Sequence, residues 1–198
     1  MAIKFQYNKT FLQQLNKELK VRLNALPTLQ AKEAALRNEV KSAKKELAEY
    51  SEQLEARMRG LSNLDEFWCE MPPVLSIADI ETAVKSIAGV KTPYLGDIRF
   101  KTGEYSLFGN PRWLPDGLEI LKSVIELRVR KKMAEKKLEM LEYARKKTTQ
   151  KVNLYEKVQI PEYNQALLKI KRFLEDKENL AKSSQKILKA RLEKEAAS

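Results

Sequence analysis

Every glycine of this 198-residue chain falls between residues 60 and 117. They are Gly60, Gly89, Gly96, Gly103, Gly109 and Gly117, and Pro72, Pro73, Pro93, Pro111 and Pro115 share the same window. The flanking stretches hold no glycine and one proline each, Pro27 and Pro161. Glycine loosens a backbone more than any other residue, so glycine-free stretches this long point to continuous helix. The clustered breakers mark a compact insert between them. The expected organisation is a long N-terminal helix over 1–61, a small insert over 62–117 and a long C-terminal helix over 118–198.

Periodicity supports the two arms. Alternate steps of three and four from Leu12 give Leu12, Leu15, Leu19, Arg22, Leu26, Leu29, Glu33, Leu36, Val40, Ala43, Leu47, Tyr50, Leu54, Arg57 and Leu61. All but Arg22, Glu33 and Arg57 are apolar or tyrosine, and this spacing is the seam of a left-handed coiled coil. The second arm carries a looser seam that includes Leu118, Leu121, Ile125, Leu138, Leu141, Val152, Tyr155, Ile170, Phe173, Leu180 and Ile187. Neither arm can bury its seam alone, so an antiparallel pairing with the insert at the turn is expected. The fold class is mainly α. Asn8 or Thr10 is placed to cap the first arm, and Asp116 with Glu119 has capping-box spacing for the second. Pro27 and Pro161 are expected to kink continuing helices, both at one level of the pair.

Within the insert, Ser76 to Ala88 reads as a short helix, opened by a Ser76/Asp79 capping box and closed by Gly89. Residues 98–108 read as a hairpin, with strands Ile98–Phe100 and Glu104–Phe108 joined at Lys101-Thr102-Gly103. Trp68, Trp113, Phe100, Phe108, Tyr94 and Tyr105 are expected to form its small core.

The chemistry available is narrow. There is no histidine and one cysteine, which removes the commonest general base and any cysteine zinc site. No glycine-rich phosphate loop occurs. Carboxylates on paired helices are solvated, with no pocket to perturb them. Cys69, beside Trp68, reads as a small buried hydrophobe. Catalytic, metal and cofactor-binding residues are therefore expected to be none. Net charge is +11, divided as +5 over 1–61, −3 over 62–117 and +9 over 118–198. Acidic residues alternate with the basic ones along both arms and no aromatic–basic platform appears, so nucleic acid is not an expected partner. A single cysteine suits a reducing compartment. The first ten residues are no signal peptide and no apolar run reaches membrane length, so any membrane link is indirect.

A resemblance sharpens this. Lys151-Val152-Asn153-Leu154-Tyr155-Glu156-Lys157-Val158-Gln159-Ile160-Pro161 resembles the K-V-N-A-L-E-x-V-x-I-P signature of the D subunits of V/A-type ATPases and ATP synthases. Met1 to Lys4 and Leu29 to Leu36 look like that family's N-terminal helix, and the helix–insert–helix layout matches over the whole chain. Leu154-Tyr155 stands where Ala-Leu is usual. The resemblance implies a non-catalytic central rotor shaft, cytoplasmic and peripheral to the inner face of a bacterial plasma membrane. It implies as partners the A and B subunits of a catalytic hexamer, a small F subunit, and a funnel-shaped subunit on the membrane ring that turns with ion transport. Lys9, Lys17, Lys20, Lys186, Lys189 and Arg191, on basic faces near the termini, are the candidate hexamer contacts. The competing reading is a coiled-coil scaffold or tether without ATPase partners.

Overall fold

The computed structural model describes residues 6–61, 69–106 and 109–196. The chain divides into two compact units. One comprises Met1–Ala31 with Thr148–Ser198, and the other is Lys32–Lys147. Helix α1 (Lys9–Leu61) is continuous through Pro27. The Asn8 side-chain carbonyl accepts the Phe11 backbone N–H at 2.6 Å, satisfying one of the helix's orphan donors, so Asn8 is the cap.

In the 32–147 unit, α1 packs against helix α2 (Leu114–Asn153). Leu36, Val40 and Ala43 form a buried cluster with Leu141, flanked by Leu138 and Ala144. Polar pairs fix an antiparallel course. Lys137 donates to Glu46 at 2.7 Å, Lys44 meets Glu142 at 2.8 Å, and Arg57 donates to the Ser123 hydroxyl at 3.4 Å. Helix α2 starts at Leu114, earlier than the expected 118, with Leu114 fully buried and Asp116 in the first turn instead of at the cap. The indole of Trp113 lies against Gly117. A Cβ there would meet the ring at 3.1 and 3.2 Å, so any larger residue would have to push the indole back by a few tenths of an ångström.

The insert departs from expectation. Residues 76–88 are not a helix. Residues 76–87 lie in strand β1 (Leu75–Ile87), paired antiparallel with β2 (Val90–Thr102) from Leu75↔Thr102 to Ile87↔Val90. Ile77, Ile80, Val84 and Ile87 mimic a helical stripe because the pairing shifts register between Ile77 and Asp79 and again between Ile80 and Thr82. Such irregularities break the two-residue alternation of a strand. Ile77, Ile80, Thr82, Val84 and Ile87 are β-branched, which suits a pleated surface. The Ser76 hydroxyl donates to the Lys101 carbonyl and caps nothing.

The hairpin is likewise 75–102, not 98–108. Residues 98–100 lie inside β2, Thr102 pairs with Leu75, and Gly103 donates to the Val74 carbonyl at 2.7 Å. Residues 104–106 form no strand, while 107 and 108 lie outside the described residues, as does Trp68. Of the expected aromatic core, Tyr94 is exposed and Phe100, Tyr105 and Trp113 are half-buried, while Ile98 is the buried hydrophobic residue of the ribbon's second strand. The ribbon's tip is the anchor: Ile87, Ala88 and Val90 pack on the Leu36/Leu141 cluster. Cys69 is exposed, not buried.

The hairpin turn is Ala88-Gly89, with φ of 49° and 76°. Positive φ at both central residues is the type I′ pattern that matches strand twist. Gly89→Ala should cost about 1 kcal/mol of stability, because alanine resists that φ. A chemical-denaturation midpoint equal to the parent's would contradict the turn assignment.

In the other unit, Leu15 and Leu19 of α1 pack with Tyr163, Ala166, Leu167 and Ile170 of helix α3 (Ile160–Ala196). Phe11, Leu12, Ile160 and Leu174 flank this core. The second arm is not one uninterrupted α-helix. A π-helical turn, Leu154–Gln159, joins α2 to α3.

Candidate functional site

Proline has no N–H and its ring crowds the carbonyl four residues back, here that of Lys157. Directly before Pro161 the Ile160 N–H reaches back five residues to the Tyr155 carbonyl, which widens the turn. A widened turn moves the crowded carbonyl away from the ring, so the π turn is the local answer to Pro161. It coincides with the K-V-N-L-Y-E-K-V-Q-I-P stretch singled out in the sequence.

A polar clamp from α1 grips this turn. Arg22 donates from Nε to Gln159 Oε1 at 2.9 Å and from a terminal nitrogen to the Glu18 backbone carbonyl at 3.0 Å. Its guanidinium lies 4.3 Å from the centre of the Tyr163 ring, a cation–π contact. The Tyr163 hydroxyl donates to Glu18 Oε2 at 2.6 Å. The hydrogen bond from Tyr163 holds the Glu18 carboxyl below its ordinary value. Partial burial opposes this, and the Gln14 amide and Arg22 add to the lowering. Burial first, then the bond to Glu18, raises the Tyr163 phenol.

A lowered carboxyl stabilises the fold above its unfolded value of 4.5 and loses that contribution as pH falls through the lowered value. Tyr163→Phe should therefore cost about 1 kcal/mol at neutral pH. The gap from the parent should shrink below about pH 4. A gap that stays constant with pH in urea titrations would contradict the clamp.

The clamp was only half legible. Arg22 interrupts an apolar seam, which is a signal, but Glu18, Gln159 and Tyr163 gave none. Of the expected seam, Leu15, Leu19, Leu36, Val40, Val152 and Ile170 are buried. Leu12, Leu26, Leu29, Leu47, Leu54 and Tyr155 are half-buried. Phe173 is exposed, though its ring meets Tyr7 at a centroid distance of 4.7 Å. Pro27 and Pro161 are exposed. Counting antiparallel from Arg22–Gln159, Pro27 falls opposite the start of the π turn, about 10 Å along the helix from Pro161.

Beyond Leu174 the character changes. From Glu175 to Glu193 every side chain of α3 is exposed. Leu180, Ile187, Leu188 and Leu192 are among them. At about 100° per residue these four fall within about 140° of the helix circumference, a broad apolar face with no cover among the described residues. Lys182, Lys186 and Lys189 lie opposite. Lys9, Lys17, Lys20, Lys186, Lys189 and Arg191 are all exposed, and Lys189 is 3.9 Å from Glu193. No helix among the described residues is long and apolar enough to cross a membrane.

The family model for the ATP synthase D subunit matches residues 11–190. The chain is 32% identical over 192 residues to the V-type ATP synthase D subunit of Borreliella burgdorferi, covering 96% of this chain and 95% of that one. It is 34% identical over 158 residues to the protein of the same description from Chlamydia trachomatis serovar L2, covering 77% and 78%. Against the one from Chlamydia pneumoniae it is 30% identical over 186 residues, covering 90% and 89%. A match of this reach, spanning both helical arms and the insert, shows that the chain belongs to the family of ATP synthase D subunits.

Proposed function

We propose that this chain is the central shaft of a V-type ATP synthase, a non-catalytic stalk component that carries torque between ATP turnover and ion translocation. The observation that carries the reading is the fully exposed stretch of α3 from Glu175 to Glu193 with its apolar face. A helix that long, about 28 Å, gains little from staying bare in water and is explained by a surrounding partner. The catalytic hexamer of A and B subunits is that partner. Its contacts include Lys9, Lys17, Lys20, Lys186, Lys189 and Arg191.

The long arms pair as an antiparallel left-handed coiled coil, which suits torque transmission. Pro27, the π turn and Pro161 bend the pair. A bent shaft meets three catalytic sites differently, and only differential contact can bias their conformations in turn. The small F subunit binds the shaft, and the insert-bearing end seats on the funnel-shaped component of the membrane ring. The chain is thus peripheral to the inner face of the membrane and needs no cofactor.

Native mass spectrometry of the tagged chain, released gently from its own membranes, tests the assembly. Recovery with an ATPase hexamer and a small shaft-binding protein is expected. Recovery alone, or in self-assembled multimers, would favour the scaffold reading instead.

A further inference from the structure

In the 32–147 unit a groove of about 550 Å³ runs between α1 and α2. Its floor is apolar: Leu54 and Val124 are half-buried and Met58 is 53% exposed. Its rim is Arg128, Lys131 and Lys132, with Glu135 at one end. The α2 residues from 124 to 135 run along one helix face for about 16 Å, three turns. The opposite flank of the same two helices carries cations that are already engaged. There Arg130 is engaged by Glu126, and Arg57 donates to Ser123. Among the described residues Arg128, Lys131 and Lys132 make no ion pair. An exposed methionine ringed by three uncommitted cations is an adaptable apolar seat inside a positive rim.

We infer that this groove docks an acidic amphipathic helix of a partner protein. Its apolar residues, spaced at i, i+4 and i+7, rest on Leu54, Met58 and Val124. Its flanking Asp or Glu side chains meet Arg128, Lys131 and Lys132. A helix fits better than a lipid surface, because the apolar floor lies recessed between two helices, inside a basic rim that runs on for about three helical turns. Long basic side chains snorkelling over apolar floor are also suited to closing on such a helix.

The test places a photoreactive benzoylphenylalanine at Met58 in the full chain, expressed in its own cells, and sequences the adducts after irradiation. The expected adduct maps to a single segment with apolar residues at helical spacing flanked by carboxylates. Its yield should fall about tenfold when Arg128→Glu, Lys131→Glu and Lys132→Glu are combined. The same number of reversals at exposed Lys41, Lys91 and Lys101 should leave it unchanged. Adducts to lipid, to nucleic acid or to this chain itself, no discrete adduct, or a yield indifferent to the rim reversals would each overturn the proposal. Complex assembly is read separately by native mass spectrometry, so a failed groove and a failed shaft reading give different results.

Discussion

Leu36→Ala lowers the free energy of unfolding by about 2–5 kcal/mol, as expected for a leucine removed from a site that cannot collapse. Leu36 is 0% exposed. It shares a buried cluster with Leu141 of the paired helix, and the hairpin tip residues Ile87, Ala88 and Val90 rest on that same cluster. Removing it loosens helix pairing and ribbon docking together. Leu36→Gly should cost about 1 kcal/mol more, since glycine also weakens the helix. Leu47→Ala, at a half-buried seam position, should cost less than Leu36→Ala. Urea unfolding followed by circular dichroism measures all three. Equal losses at Leu36 and Leu47 would contradict the placement of the core.

The second large effect comes from the far end of α3. Deleting residues 175–198 should leave the stability of the rest close to the parent's, because no described side chain in that stretch is buried. It should nevertheless weaken seating in the hexamer by about 100-fold or more. Each of Leu180, Ile187, Leu188 and Leu192 would contribute about 1.5–3 kcal/mol on burial, before the costs of association. ATP hydrolysis coupled to ion movement should fall with it. A truncated chain that assembles and couples normally would show that the exposed face has no partner in the hexamer.

The arms were legible because helix leaves a three-and-four signature over tens of residues, and no local accident can imitate it for that long. The insert was not legible for the converse reason. Over thirteen residues, Ile77, Ile80, Val84 and Ile87 fit a helix as well as a strand. What decided between them was pairing with the next strand, from Ile87↔Val90 out to Leu75↔Thr102, with two register shifts no local pattern reveals. The Ala88-Gly89 turn was visible as a glycine but read as a helix terminator, since either role uses its positive φ. Pro161 pointed to the right place, but the form of the disturbance, a π turn held by Arg22 and Tyr163, depended on a neighbouring helix. The same limit applied to Tyr163, Ala166 and Leu167, buried through packing and absent from the expected seam.

The most direct test of the shaft uses a feature the chain already has. Cys69 is its only cysteine and is exposed, so one probe can be attached there without removing others. With the catalytic hexamer fixed to glass and a bead on Cys69, ATP should drive stepwise rotation in one direction, abolished by removing ATP. A bead that stays fixed relative to an actively hydrolysing hexamer would contradict the central claim.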